Sequence, residues 1–365
     1  QTLLGKDAPY VPGWDCHGLP IEWKVEEQYR KKKRNKDEVP LPEFRAECRA
    51  YAQHWVDVQS AQFQRLGILG AWDKPYLTMS FEAEATIVAE LMKVAESGQL
   101  YRGAKPVMWS PVEKTALAEA EIEYEDVVST QIDVAFEIVE SPIPELVGAH
   151  AVVWTTTPWT IPVNQAIAYG EEIEYVLLTM EGKRYLLAGH QLTETYLRIG
   201  FEQVGGVLQD QLGLKSWERE GKRLKGEDLA GTIARHPMHH LGGFFAKPRP
   251  LIPGHHVTTD AGTGLVHMAP DHGRYRADWL WLGGQGSVIN PKFNAPDGPI
   301  CSDLREAGAL LSAGDFRHSY PHSWRSKARV IYRCTPQWFV AMDRPINSAH
   351  AEPVEASSNT LRQAQ

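Results

Sequence analysis

The chain has 365 residues, 43% of them hydrophobic and 23% charged, with a formal net charge of -8. This composition excludes wholesale disorder, and the length predicts two or three domains with their own buried cores. The acidic balance excludes a nonspecific nucleic-acid coat protein, but not RNA binding through a local patch.

In chain order, residues 13–20 (GWDCHGLP) read as a loop. A helix is predicted over about 21–33, ending in the basic run 30–34, which is either a solvated helix end or a contact for RNA phosphate. Residues 41–66 predict a long amphipathic helix, with Phe44, Cys48, Ala52, Trp55, Val56, Phe63 and Leu66 at roughly helical spacing. Ser80 can cap a further helix in which Ile87, Leu91 and Val94 share a face and which Gly98 ends. These helices are expected to lay their apolar stripes on a parallel sheet. Past residue 125 the period changes. Ile132, Val134, Phe136 and Ile138 alternate with Asp133, Ala135 and Glu137, predicting a half-buried strand. A short apolar strand follows at 151–154, then a hairpin with arms at 175–180 and 185–188 and a short helix at 191–198. A helix-rich opening and a β-rich block over about 128–318 predict two domains, the second inserted into the first. Residues 346–365 are polar and aperiodic and read as a disordered tail.

The four cysteines, Cys16, Cys48, Cys301 and Cys334, form no C-x-x-C pair. Neither a zinc knuckle nor a disulfide framework is expected, and a reducing, cytoplasmic compartment suits them. No apolar run reaches membrane-spanning length, so no membrane partner is expected. Residues 1–14 lack a signal-peptide layout. With no initiator Met, the chain reads as a fragment that opens inside a domain.

Four strings could carry chemistry. In residues 10–22 (YVPGWDCHGLPIE), glycines and prolines fix a loop that presents Asp15 and His17 two residues apart. A carboxylate there can hold an ammonium group and an imidazole can donate to an oxygen, though a structural turn fits equally. Residues 154–162 (WTTTPWTIP) line up the stiff hydroxyls of Thr155, Thr156 and Thr157, either as fixed donors and acceptors or as a solvated strand edge. Residues 262–273 (GTGLVHMAPDHG) place His267 after an apolar pair at a strand end, with two glycines that permit close backbone approach. The third glycine of a nucleotide-binding fingerprint is missing there. Residues 319–339 interleave Trp324, Tyr332, Trp338 and Phe339 with Arg325, Lys327, Arg329 and Arg333. They suit either a nucleic-acid-facing ribbon or a core strand pair with a cationic outer face.

Together with residues 63–76 (FQRLGILGAWDKPY) and 106–124 (PVMWSPVEKTALAEAEIEY), these strings closely resemble the isoleucyl-tRNA synthetases, class I aminoacyl-tRNA synthetases, over about residues 6–344. The Thr-Thr-Thr-Pro-Trp-Thr form resembles the isoleucine enzymes; the valine and leucine enzymes carry an Arg after the first two Thr. The resemblance implies an α/β fold: a partial Rossmann-like nucleotide-binding domain (1–127) with an inserted β-rich, barrel-like α+β editing domain (128–318), a return ribbon (319–345) and the tail. It implies ATP-dependent charging of tRNA-Ile, with Mg2+, and hydrolytic editing of mischarged valyl-tRNA by an oriented water, needing no cofactor. Isoleucine and valine would be the small-molecule substrates of a monomer. Editing has a physical motive, because one methylene gives only ~1–3 kcal/mol of discrimination; the isoleucine enzyme is itself the standard example.

By the same resemblance, Thr155, Thr156, Thr157 and Trp159 line the editing pocket with Asn164 and Gly264, and His267 lies close to the terminal ribose. Gly13, Trp14, Asp15 and His17 match the loop beside the aminoacyl-adenylate. The family's His-Ile-Gly-His and Lys-Met-Ser-Lys-Ser elements are absent from these 365 residues, so the chain alone is not expected to activate isoleucine. The family also continues past Gly273 with acidic residues, one of them the Asp that grips the substrate ammonium. Arg276 stands at that place, where a cation repels an ammonium, and Asp278 is the candidate substitute anchor. Ser323 and Ser326 replace a Cys pair found in some relatives, so no metal is expected. Two other readings stay open: a free-standing trans-editing deacylase, and a non-catalytic tRNA-binding remnant.

Overall fold

The computed structural model describes residues 1–180, 182–200, 222–270 and 292–342. It divides into two compact units: unit 1 is 1–103 with 336 onward, and unit 2 is the continuous stretch 104–335. The chain passes between them within β3 (Leu100–Ser110) and within β15 (Ile331–Val340).

Unit 1 holds β1 (Gly13–Trp14), α1 (Leu19–Lys31), α2 (Leu41–Arg65), β2 (Tyr76–Leu77) and α3 (Phe81–Glu96). Ser80 caps α3 by accepting from the Ala83 amide at 3.3 Å. Within the predicted loop, Gly13 and Trp14 form a strand, paired in parallel with Tyr76 and Leu77. That partner lies some sixty residues away and leaves no local trace. The middle of α2 does lie on this parallel pair, for Ala52 and Val56 cluster with Cys16, Trp14 and Leu77, but the pair covers only part of the helical stripes. Among the described residues, this pair is the parallel sheet of unit 1. Phe44, Ala52 and Val56 are buried, but Trp55, Phe63 and Leu66 are exposed, and so are Ile87, Val88, Leu91 and Met92 of α3. At the basic run, Arg30 lies over the Trp23 ring at 4.0 Å and 3.7 Å from Glu26; Lys31, Lys32 and Lys33 are solvated.

Unit 2 is built on a sheet of ten described strands, ordered β10-β8-β9-β6-β5-β11-β12-β7-β13, with β14 also on β5. The strands are β5 (Ile122–Glu140), β6 (His150–Thr155), β7 (Ala166–Tyr169), β8 (Glu174–Met180), β9 (Lys183–Ala188), β10 (Lys222–Lys225), β11 (Ile233–Arg235), β12 (Pro248–Pro253), β13 (Leu265–Met268) and β14 (Leu310–Ser323). The hairpin is β8–β9, with Met180 opposite Lys183. The sequence boundaries at 127/128 and 318/319 fall inside β5 and β14, which pair antiparallel from Ile122↔Ser323 to Val134↔Leu310.

The centre of β5 is buried on both faces, not one. Ile132, Val134, Phe136 and Ile138 join the main core. Ala135 joins a second cluster with Leu192 and Ile199 of α4 (Leu192–Gly200). A remote helix covers the face that alternation assigned to water. Beneath it Asp133, 1% exposed at its side chain, pairs with Arg198 at 2.9 Å.

On β14, on β15 and in the turn between them, cations already have partners. Arg325 pairs with Glu121 at 3.2 Å, Lys327 with Glu123 and Arg317 with Asp126 at 3.7 Å. Arg333 lies over Trp109 at 4.4 Å. Opposing carboxylates, Glu121 just before β5 and Glu123 and Asp126 on it, thus neutralise much of this ribbon's charge, which favours the strand-pair reading over the phosphate-facing one.

Candidate active site

The threonine string begins where β6 ends. Thr155 is the last strand residue, opposite Ile132 of β5. Pro158, with its preset φ and no amide proton, opens a 3-10 turn over Pro158–Val163 whose six residues are all buried. Residues three apart eclipse in such a turn, so Thr160 comes back over Thr157. The hydroxyls meet in series: Thr155 and Thr157 Oγ1 are 3.0 Å apart, and Thr157 and Thr160 Oγ1 are 3.1 Å apart. His267 reaches the same point from β13, with Nε2 2.9 Å from Thr160 Oγ1.

Proton directions follow from the acceptors. Thr160 Oγ1 donates to the Thr157 carbonyl at 2.7 Å, which uses its one proton. It therefore accepts from His267, whose imidazole carries its proton on Nε2. Thr155 Oγ1 accepts from the Thr157 amide at 3.1 Å and can pass its own proton to Thr157 Oγ1. The result is an ordered relay in which Thr155 donates to Thr157, and Thr157 and His267 both donate to Thr160.

The other predicted residues divide into three groups. Thr156, Thr157 and Trp159 line a hollow of about 30 Å³ with Ser129, Thr130, Asn294, Tyr320 and Arg329. That is space enough to admit a water. Asn164 is buried; its Nδ2 donates to the Ala166 carbonyl at 2.8 Å, while Oδ1 makes no hydrogen bond among the described residues. The neighbouring Gln165 amide ties the end of the turn to Met268 of β13 at 2.8 Å. Gly264 packs tightly: φ is +71° and an added Cβ would lie 2.3 Å from the Ala188 Cβ. Gly264→Ala is expected to cost about 2–4 kcal/mol from overpacking and strain, measured as a lowered urea midpoint for unit 2.

In unit 1, Gly13, Asp15 and His17 are exposed. Trp14 donates to Gln59 at 2.8 Å, and the Cys16 amide donates to Thr78 at 2.8 Å. His17 lines a cavity of about 900 Å³ between the helices, with Cys16, Glu22, Arg45, Cys48 and Glu84. Asp278 and Arg276 lie outside the described residues, as does the tail over 346–365.

Two site residues escaped the sequence reading. Thr160 was legible, since Pro158 announces a turn and places the fourth threonine three residues after Thr157. His236 was not. It is completely buried beside the same turn, and nothing in its local string announces that contact. Burial pushes its imidazole down to about 3, with Arg249, His267 and His239 adding in the same direction, so it is neutral.

The family model for class I tRNA synthetases (I, L, M and V) matches residues 1–363. The chain belongs to that family. It is 62% identical over 369 residues to the isoleucine–tRNA ligase of Zymomonas mobilis subsp. mobilis, covering 95% of this chain and 38% of that protein. Isoleucine–tRNA ligases of Pelagibacter ubique, 46% identical over 94% of this chain and 39% of theirs, and of Caulobacter vibrioides, 45% identical over 95% and 38%, are also similar. The chain thus spans under two fifths of the length of these curated relatives. The crystal structure of GlLeuRS-CP1 aligns with 38% of this chain and 55% of its own at a TM-score of 0.28 and 13% identity, too loose a likeness to carry an argument. Among the described residues, no helix is long and apolar enough to cross a membrane.

Proposed function

We propose that this chain is part of an isoleucine–tRNA ligase and that unit 2 is its editing domain, hydrolysing the ester that joins valine to tRNA-Ile. The observation that carries this reading is the relay of Thr155, Thr157, Thr160 and His267, an ordered set of hydroxyls meeting an imidazole. A carboxylic ester needs a water aligned on its carbonyl and a proton for the departing ribose oxygen; it does not need a covalent enzyme nucleophile. The water-sized hollow beside Thr156 and Thr157 suits the first need. His267 belongs beside the terminal ribose, and the departing ribose oxygen takes the proton that the attacking water gives up. Asp278 is the carboxylate we assign to the substrate ammonium, in place of Arg276. Unit 1 supplies part of the ATP-dependent activation domain, with Asp15 and His17 on the aminoacyl-adenylate side. The setting is a monomer in the cytoplasm.

The test is hydrolysis of valyl-tRNA-Ile against isoleucyl-tRNA-Ile by the purified chain. The valyl ester should be cleaved faster by about 10-fold or more, the discrimination one methylene can give in a pocket that excludes the larger side chain. Equal rates, or no cleavage of either ester, overturn the reading. Tight tRNA binding without cleavage would favour the non-catalytic remnant.

A further inference from the structure

We infer that His236 is a positioning residue for the relay: by holding the Ile161 carbonyl it fixes the 158–163 turn and keeps Thr160 within reach of His267. This rests on the editing reading for its consequence in catalysis, though not for its geometry.

The two nitrogens of His236 are used in opposite senses. Its Nδ1 accepts from the Met238 amide at 3.0 Å, so the ring proton sits on Nε2 and is donated to the Ile161 carbonyl at 2.9 Å. That carbonyl closes the 3-10 turn, also accepting from the Asn164 amide at 3.0 Å. The ring is set edge-on to Phe136, with centroids 5.8 Å apart, and tilted on Phe245 at 5.0 Å. Two fixed hydrogen bonds and two aromatic walls leave it one orientation and one tautomer. Ile161 follows Thr160 directly, so the carbonyl that His236 holds and the hydroxyl that meets His267 are one residue apart on the same rigid turn. Neither a protonated imidazole nor a phenyl ring could do this: the first has no acceptor for Met238, and the second has no donor for Ile161. His236 touches no reacting atom; it acts through Ile161 and Thr160.

Three variants separate the roles. His236→Gln keeps a donor near the Nε2 position and loses the acceptor for Met238. His236→Asn keeps the acceptor and loses the donor, and His236→Leu loses both. If Thr160 is held through Ile161, the Asn and Leu variants should lower kcat for valyl-tRNA-Ile hydrolysis by about 10²-fold, the cost of a misplacement near 1 Å. KM should stay unmoved and the Gln variant should retain most of the activity. A second readout needs no turnover: the ring 15N shifts of His267, assigned against His267→Gln. They should report the Nε2-protonated tautomer in the native chain and the Gln variant, and a tautomer mixture in the Asn variant. Asn and Gln variants that keep both native kcat and the native His267 tautomer overturn the proposal. Should the native chain cleave no ester, the editing reading falls and the His267 tautomer alone decides this one. Should the Leu variant not fold, the Asn–Gln pair decides.

Discussion

Thr160→Val is expected to slow hydrolysis of valyl-tRNA-Ile by about 10²-fold, because the shape stays and the hub of the relay goes. The native hydroxyl serves the Thr157 carbonyl at 2.7 Å, Thr157 Oγ1 at 3.1 Å and His267 Nε2 at 2.9 Å. Valine leaves each of these half-buried groups short of a partner, which costs about 1–3 kcal/mol of stability. Thr160→Ser restores the hydroxyl and should recover most of the rate. Deacylation rates for the three proteins, with urea melts beside them, separate lost chemistry from lost folding. A valine variant as fast as native would detach Thr160 from the reaction.

The largest effect on stability is expected at Arg198. Its Nε and Nη2 grip both oxygens of Asp133 at 3.0 and 2.9 Å. Arg198→Met strands a carboxylate with almost no exposure, and unit 2 should lose about 3–5 kcal/mol. Exchanging both, Asp133→Leu with Arg198→Met, should recover most of that, since an apolar pair carries no desolvation cost. Burial already holds the Asp133 carboxyl above its ordinary range, against the opposing pull of Arg198. Without the guanidinium it rises further. A carboxyl raised in the folded state favours folding below its unfolded value and loses that contribution as pH climbs through the folded value. The deficit of the single variant should therefore shrink towards pH 4 and be full at about pH 8. Trp154, whose ring lies 6.0 Å from Arg198, provides a fluorescence signal for the urea titrations. Equal midpoints for native and Arg198→Met would show that the pair contributes nothing.

Local pattern made the α2 and α3 helices legible, the Ser80 cap included, because spacing and capping are decided within a few residues. It could not say whether a shared face is covered. Phe44, Ala52 and Val56 are buried, yet Ile87 and Leu91 lie open on an equally regular helix. Periodicity reports which side chains travel together; burial needs a second element. The same limit misread β5, whose outer face α4 covers. At the site, the threonine string and His267 were visible as residues. Their meeting was legible only through the family resemblance, because Thr160 and His267 are 107 positions apart and are brought together as β13 pairs with β7.

The β5–β14 pairing bears on how the chain comes off the ribosome. Residues 122–131 of β5 find their described strand partner in β14, since β6 and β11 pair with β5 only from Ile132 onward. Ile132 lies opposite Ala313, so translation at ordinary speeds leaves that edge open for roughly 10–40 s. An open edge is a template for intermolecular pairing. Glu123, Glu125 and Asp126 stand on this stretch as charged gatekeepers during the wait. The ion pairs that Glu123 and Asp126 make with Lys327 and Arg317 are then a second use of groups first needed to keep the nascent chain apart from its neighbours.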